Sequence, residues 1–597
     1  MSTAPGSRAL RLDEILARQT DVARQVFAQQ LKTQVAELCA AIAREPSCAE
    51  SYVELARCLA RGGEHERAME ILGQGIRQCP SSVRLHEARV SFLEECNQTQ
   101  TAIAAAKEAL RLFPDNVWFR LKEALLLPAL YSTEEEVSNY RSRLTEALAR
   151  LISEVTLDTP ASRAAALSAI AGHVNFGLGF QVQNDRDLQT RYGEFVCKVI
   201  AAHYPEFTQP RSMPPSAGGK LRIGYVSGRF RDVSATKCFL GWIAGQNRSE
   251  FETFAYHLGG RRDAGTKEVE RCATHFRHLT SSLEGICRSI LADHLHVLVF
   301  LDIGLKPLLT QIAAMRLAPI QCATWDQPIT SGLPTMDYFI SSDLMEPAGA
   351  ERHYSEKLIR LPGLGVCFQK PVVPRMLLTK KRADYRLREE AVVYLCCQAC
   401  RKYLPQNDDV FPQIARQVPN SQFVFLTPNS FLERSLRARL DRAFAVAGMK
   451  AGDHCVFLGE MDRFSYWNLH LVSDVFLDTI GWSGGVSTIE AIACGLPVVT
   501  LPGAFMRSNH TRAILTCAEA TETIAGDKRS YVAIASRLGL DPAWRREVVQ
   551  RIEAGSAALY SDQRCLVALE DFFRKAISDR NYAERPSASR IGAGAAS

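Results

Sequence analysis

At 597 residues the chain is too long for a single hydrophobic core, so about three or four folding units are expected. Hydrophobic residues make up 47% and charged residues 23%, close to the soluble globular average, which excludes a disordered or fibrous chain. Lys+Arg total 71 against 65 Asp+Glu, a net charge of +6, too weak a field for the chain as a whole to bind nucleic acid.

The opening stretch MSTAPGSRALRLDEILARQ has no apolar run of signal-peptide length. No later stretch reaches the roughly 20 apolar residues of a membrane span, so a cytoplasmic protein without membrane association is expected. The 18 cysteines are scattered through apolar contexts such as Cys238, Cys322 and Cys494, as small buried hydrophobes in a reducing compartment are. Cys396, Cys397 and Cys400 contain a CxxC spacing, but no second Cys or His pair stands at zinc-site distance, and no metal is expected.

In chain order, an N-terminal helix over 1–30 leads into a helical arm over 31–205. There Pro46, Pro80 and Pro114 follow one another at 34-residue intervals, the period of a tetratricopeptide helix pair. Leu55, Ala56, Leu59, Gly63, Ala68 and Leu72 fill the apolar and small positions of the first unit. The second keeps Ala102, Ala109 and Pro114 but carries Arg89 where an apolar residue is usual, and a degenerate third runs into YRSRLTEALARLISEV. An ordinary helical bundle is the alternative, since proline at helix ends is common. Pro, Ser and Gly then gather in a linker over 206–220.

Beyond it, short runs rich in Val, Ile, Phe and Tyr alternate with helical stretches, the signature of parallel α/β units. LRIGYVSG, FETFAYHL, HVLVFLDI, APIQCATW and MDYFISSD read as strands of a front lobe over 221–378. A basic interlobe segment, TKKRADYRLREE, covers 379–390. AVVYLCC, QFVFLTP, HCVFLGE, DVFLDT and LPVVTLPG read as strands of a rear lobe over 391–580. The tail over 581–597 has a disordered composition. Two such lobes suit a nucleotide held at the carboxyl ends of the strands.

The segment DVFLDTIGWSGGVSTIEAIACGLPVVTLPG places a strand, a glycine turn, a helix and another strand in succession. Gly484 and Gly485 permit a sharp turn and a close ligand approach. Val486, Ser487 and Thr488 open a helix whose free amides and positive dipole end suit a pyrophosphate, with two hydroxyls as further donors. Glu490, one turn in, suits a ribose hydroxyl. Taken alone, the segment is equally an ordinary strand–turn–helix connection. Lys402 follows the first rear strand, where an ammonium would offset charge on a departing diphosphate; taken alone it is also a solvent-facing lysine beside Arg401.

Several separated segments resemble the O-linked N-acetylglucosamine transferases and their SPINDLY-type and bacterial relatives. These are LRIGYVSGRF, RLAPIQCATWDQPITSGLPTMDYFISSD, HYSEKLIRLPG and VFLDTIGWSGGVSTIEAIACGLPVVTLPG, in similar order and spacing, behind a tetratricopeptide-like arm. The resemblance implies a GT-B fold, two facing Rossmann-like α/β lobes, after an all-α arm. It implies an inverting glycosyltransferase with no metal and no cofactor, whose donor is a UDP-sugar, foremost UDP-N-acetylglucosamine, and whose acceptor is a protein Ser or Thr.

Carried over by position, Lys402 matches the lysine on the diphosphate, with Gln398 in the same loop. Gly485 to Thr488 match the phosphate-binding helix start, and Glu490 the ribose ligand. Tyr466 matches a ring that stacks on uracil, Met461 and Arg463 face the base, and Asp293 and His296 match polar residues on the acceptor side. Val233 and Lys237 stand where relatives carry histidines, and Gln327 replaces another, so a histidine base is absent; Asp293, or Asp232 through water, is left to take the proton. N-glucosyl or O-fucosyl transfer, sugar epimerisation and a non-catalytic scaffold remain open, as does whether the arm binds acceptor peptides or forms a homodimer.

Overall fold

The computed structural model describes Val26 and residues 28–584, apart from 216–218 and 376–377. Nearly all of the expected N-terminal helix, and the tail from residue 585, lie outside the described residues.

In the arm, helices Ala49–Arg61, Val83–Glu95 and Val117–Leu125 start 34 residues apart, as do their partners His65–Gln78 and Thr99–Leu112. Leu55, Ala56, Leu59, Ala68 and Leu72 are buried between the helices of the first pair. The second pair is as regular as the first. Arg89 is tolerated there because its guanidinium, 32% exposed, runs outward to Glu108 at 3.4 Å. The third unit departs from the period, with a long helix over Glu134–Glu154.

The front lobe is a parallel sheet of β1 (Leu221–Ser227), β2 (Phe251–His257), β3 (His275–His278), β4 (Val297–Phe300), β5 (Ile320–Thr324), β6 (Tyr338–Ser342) and β7 (Lys357–Leu361), in the order β3-β2-β1-β4-β5-β6-β7. The rear lobe holds β8 (Val392–Cys396), β9 (Ser421–Leu426), β10 (Cys455–Leu458), β11 (Val475–Leu477) and β12 (Val498–Val499), in the order β10-β9-β8-β11-β12. All ten expected strands are present. β3 and β7 are edge strands with partly exposed polar residues, so neither shows as an apolar run. Chain order reverses beside β1 and beside β8, which opens a crevice at the carboxyl ends of the strands there.

The central strands are dry: Ile223, Tyr225, Val226 and Val297 through Phe300 are all 0% exposed, each such side chain contributing about 1.5–3 kcal/mol on burial. The arm is tied to both lobes. A Cβ on Gly193, in helix Arg186–His203, would lie 2.1 Å from the carbonyl of Gly332, so only glycine lets this helix seat on the front lobe. Phe180 stacks on Trp482 of the rear lobe at 4.6 Å.

The C-terminal helix Arg564–Glu584, counted with the rear lobe on sequence grounds, crosses back to the front lobe. There Glu570 accepts the Asn247 amide at 2.7 Å, Arg574 pairs with Glu250 at 3.0 Å and Phe572 meets Tyr338 edge-on.

Candidate active site

A cavity of about 590 Å³ lies between the lobes. Asp232 and Lys237 line it from the front, on the loop and helix after β1; Gln398, Met461, Arg463, Tyr466 and Glu490 line it from the rear. The five rear residues follow β8, β10 and β11, so three strand ends supply one wall. The loop after β1 is pinned by Asp263, whose carboxylate accepts the Asp232 amide at 3.1 Å and caps helix Ala264–Cys272.

Lys402 sits deeper, in the short turn Cys400–Lys402 after β8. Its ammonium points inward, donating to Gln398 Oε1 at 2.9 Å and to the Ser483 carbonyl at 3.2 Å, with the Trp482 ring 5.3 Å away. Burial lowers its pKa to about 8, opposed by the nearby Asp478 carboxylate. Burial in turn raises Asp478 to about 6. Asp478 accepts the Gly484 amide at 2.6 Å and the Thr500 hydroxyl at 2.7 Å, which holds the glycine turn against the end of β11.

Gln398 completes a bridge by donating to Ser487 Oγ at 2.6 Å. One amide side chain therefore connects the ammonium to the start of helix Val486–Ala493. Gly484 is closely packed here: a Cβ would lie 2.4 Å from Gln398 Nε2 and 2.6 Å from Thr488 Oγ1, so these side chains would have to shift. A Cβ on Gly485 would meet open space.

Thr488 does not add a ligand donor as expected. Its hydroxyl is fully buried against the Gly484 carbonyl and Thr511, and its amide bonds to the Gly485 carbonyl. Gly485, Val486 and Ser487 keep the amides that a helix start leaves for an anion.

Glu490 is occupied as well. It accepts from Lys237 Nζ at 2.7 Å. Tyr466 lines the cavity with its ring edge-on to His470 at 4.5 Å. Arg463 reaches across the mouth to Asp232 at 2.7 Å.

Asp293 and His296 are not in the cleft, which corrects their expected role. Both precede β4, at the amino end of the sheet, opposite the cavity. Asp293 accepts from Tyr256 OH at 2.7 Å and from the Arg277 guanidinium. His296 Nδ1 accepts the amide of Arg222 at the start of β1, and burial lowers its pKa to about 4. The place of both residues ahead of the apolar run of β4 was itself a signal of the amino end.

Sequence reasoning passed over Trp482 and Asp478, which brace Lys402, and Asp302 and Asp326, at the cleft ends of β4 and β5. A signal was available for all four, since each follows an apolar strand within a few residues. Among the described residues no group of three or more His, Cys, Asp or Glu side chains is placed to hold a metal ion, and no helix is long and apolar enough to cross a membrane.

Two facing parallel lobes, a cleft at their strand ends, and an ammonium bridged to a glycine-turned helix start are the marks of a GT-B glycosyltransferase. The family model for Glycosyl transferase family 41 matches residues 151–364 and 367–563, and the chain belongs to that family.

Among relatives, the probable UDP-N-acetylglucosamine–peptide N-acetylglucosaminyltransferase SEC of Arabidopsis thaliana is 27% identical over 322 residues, 51% of this chain and 32% of that protein. Its SPINDLY counterpart in Oryza sativa subsp. japonica is 25% identical over 348 residues, 57% of this chain and 36% of that protein. This chain thus spans about a third of the length of these relatives. A mutant of Thermobaculum terrenum O-GlcNAc transferase, solved experimentally, shares the fold with a TM-score of 0.66 at 21% identity, covering 90% of this chain and 98% of that one.

Proposed function

We propose that this chain moves N-acetylglucosamine from UDP-N-acetylglucosamine to Ser or Thr hydroxyls of proteins, in one displacement with inversion at the anomeric carbon. The observation that carries this reading is the Lys402–Gln398–Ser487 bridge beside the interlobe cavity. A buried ammonium and a helix start face one another across a neutral amide that can turn aside.

In this mechanism the donor diphosphate takes the place of the Gln398 amide. Lys402 and the amides of Gly485, Val486 and Ser487 then stabilise the charge that gathers as the glycosidic oxygen leaves. Glu490 accepts ribose hydroxyls, and Tyr466, Met461 and Arg463 border the base. The names of the plant relatives support the choice of sugar and acceptor. The 18 cysteines, all free thiols, fit a reducing, cytoplasmic setting. The arm, as an array of helix pairs, offers a surface for acceptor segments.

The test is incubation of the full chain with labelled UDP-N-acetylglucosamine, UDP-glucose and GDP-fucose in cell lysate, with acceptor residues read by mass spectrometry. Label from UDP-N-acetylglucosamine on Ser or Thr is expected. Label on Asn, or from another donor alone, overturns the stated specificity; no label with any donor and no heat on titration with UDP leaves only a scaffold.

A further inference from the structure

Two carboxyl groups at the cleft face of the front sheet have no part in the chemistry above. β4 and β5 are adjacent and parallel, with Phe300 opposite Ala323, so Asp302 and Asp326, just past their ends, emerge side by side. Asp302 is 0% exposed; its Oδ1 accepts the Gly228 amide at 3.3 Å, and its Oδ2 has no hydrogen-bond partner. Asp326 has a 13% exposed side chain with Arg229 Nη1 at 3.8 Å, and its Oδ2 also lacks a hydrogen-bond partner.

A third acceptor, Gln327 Oε1, is buried without a partner beside them. It packs on the turn that carries Asp302, since a Cβ on Gly304 would lie 2.4 Å from it. Each buried acceptor left without a donor costs about 1–3 kcal/mol, and three together call for an explanation beyond packing. The place is near the leaving-group end of the cleft. Trp325, adjacent to Asp326, packs on His510 at 5.2 Å, and His510 feels the charge of Lys402.

We propose that Asp326 takes the proton of the acceptor hydroxyl, with the Arg229 guanidinium beside its carboxylate. This rests on the transferase reading. In the step, the acceptor oxygen forms its bond to the anomeric carbon while the bond from that carbon to the diphosphate oxygen breaks. The departing electron pair stays on the diphosphate, and the hydroxyl proton passes to the Asp326 carboxylate. A carboxylate thereby does the work for which Val233 and Lys237 offer no histidine.

The surroundings support it. Burial raises Asp326 to about 6 against the pull of Arg229. Burial, then repulsion from Asp326, raises Asp302 to about 7. A base in that range serves near neutral pH. Other charged or titratable groups near the pair are Cys238 and Lys237 on the helix after β1, Lys306 beside Gly228, His257 at the end of β2, and His510 from the rear lobe, which itself feels Lys402.

The experiment measures kcat and KM for transfer from UDP-N-acetylglucosamine against pH, with UDP affinity by calorimetry, for the full chain and its Asp326→Asn and Asp302→Asn variants. Asp326→Asn is expected to keep UDP affinity, lose roughly 100-fold or more in kcat, and lack the acid limb near pH 6 expected of the wild type. Asp302→Asn keeps that limb, because a neutral neighbour is what Asp326 already faces when it ionises first.

Should Asp326→Asn fail to bind UDP, Asp326→Glu replaces it, and a retained acid limb at reduced kcat is the expected result. Transfer within about fivefold of wild type in Asp326→Asn, or an acid limb that only Asp302→Asn removes, overturns the proposal and leaves the transferase reading standing. A wild type that binds UDP but transfers nothing overturns both.

Discussion

Lys237 and Glu490, one from each lobe, meet in a 2.7 Å ion pair across the cleft. Lys237 rides the front-lobe helix Ser234–Gly245 and Glu490 the rear-lobe helix Val486–Ala493, so the group assigned to ribose is also a link between the lobes. A second link, Asp232 to Arg463, is 38% and 57% exposed and contributes at most about 1 kcal/mol.

The two duties of Glu490 can be separated. Glu490→Ala removes a charged acceptor for the ribose, a loss of about 1.5–3 kcal/mol, and should weaken UDP binding about tenfold or more in calorimetry. Lys237→Met removes only the more exposed partner and should change affinity by no more than about fivefold. Equal, small effects would assign Glu490 to the interlobe contact alone.

Lys402→Ala should reduce transfer by about two powers of ten or more, as expected for a main stabiliser of a developing anion. A thermal melt close to that of the wild type would place the loss in chemistry rather than folding. Near-normal turnover would remove Lys402 from the mechanism.

The lowered pKa of Lys402 gives nucleotide affinity a pH dependence. Burial holds the group near 8, so the ammonium that meets the diphosphate is present below that pH and lost above it. UDP affinity should therefore be flat between about pH 7 and 7.5 and fall as pH rises through 8. Affinity that stays level to pH 9 would mean that the ammonium is not in contact with the phosphates.

Gly484 and Gly485 should behave differently despite being neighbours. Alanine at 484 drives a methyl into Gln398, Ser487 and Thr488, with contacts as short as 2.4 Å, and should cost about 1–3 kcal/mol of stability together with nucleotide binding. Alanine at 485 meets open space and should leave the melting temperature within about 2 °C of wild type. Equal melting temperatures for the two variants would refute the packing described around residue 484.

The central strands and the helix–turn–helix period were legible in the sequence because both depend on local side-chain pattern. Apolar runs mark the strands, and prolines at a fixed spacing mark the repeats. Gln398, Met461, Arg463, Tyr466 and Glu490 came from motif position and do share one cavity.

Motif position does not report whether a residue shares the cleft, and pattern does not report what else competes for its polar atoms. Asp293 and His296 fail on the first count, because they precede β4 and face away from the cleft. Thr488 fails on the second, its hydroxyl already taken by Gly484 and Thr511. The stacking of Trp482 on Phe180, some three hundred residues away in the arm, was invisible for a third reason, since only the tertiary fold creates that contact.

The most direct test is a crystal structure of the full chain with UDP bound. The account predicts diphosphate oxygens within hydrogen-bond reach of Lys402 Nζ and of the amides of Gly485, Val486 and Ser487, with the Gln398 side chain turned away from Ser487. UDP bound elsewhere, or a diphosphate that leaves the Lys402–Gln398–Ser487 bridge intact, would contradict it.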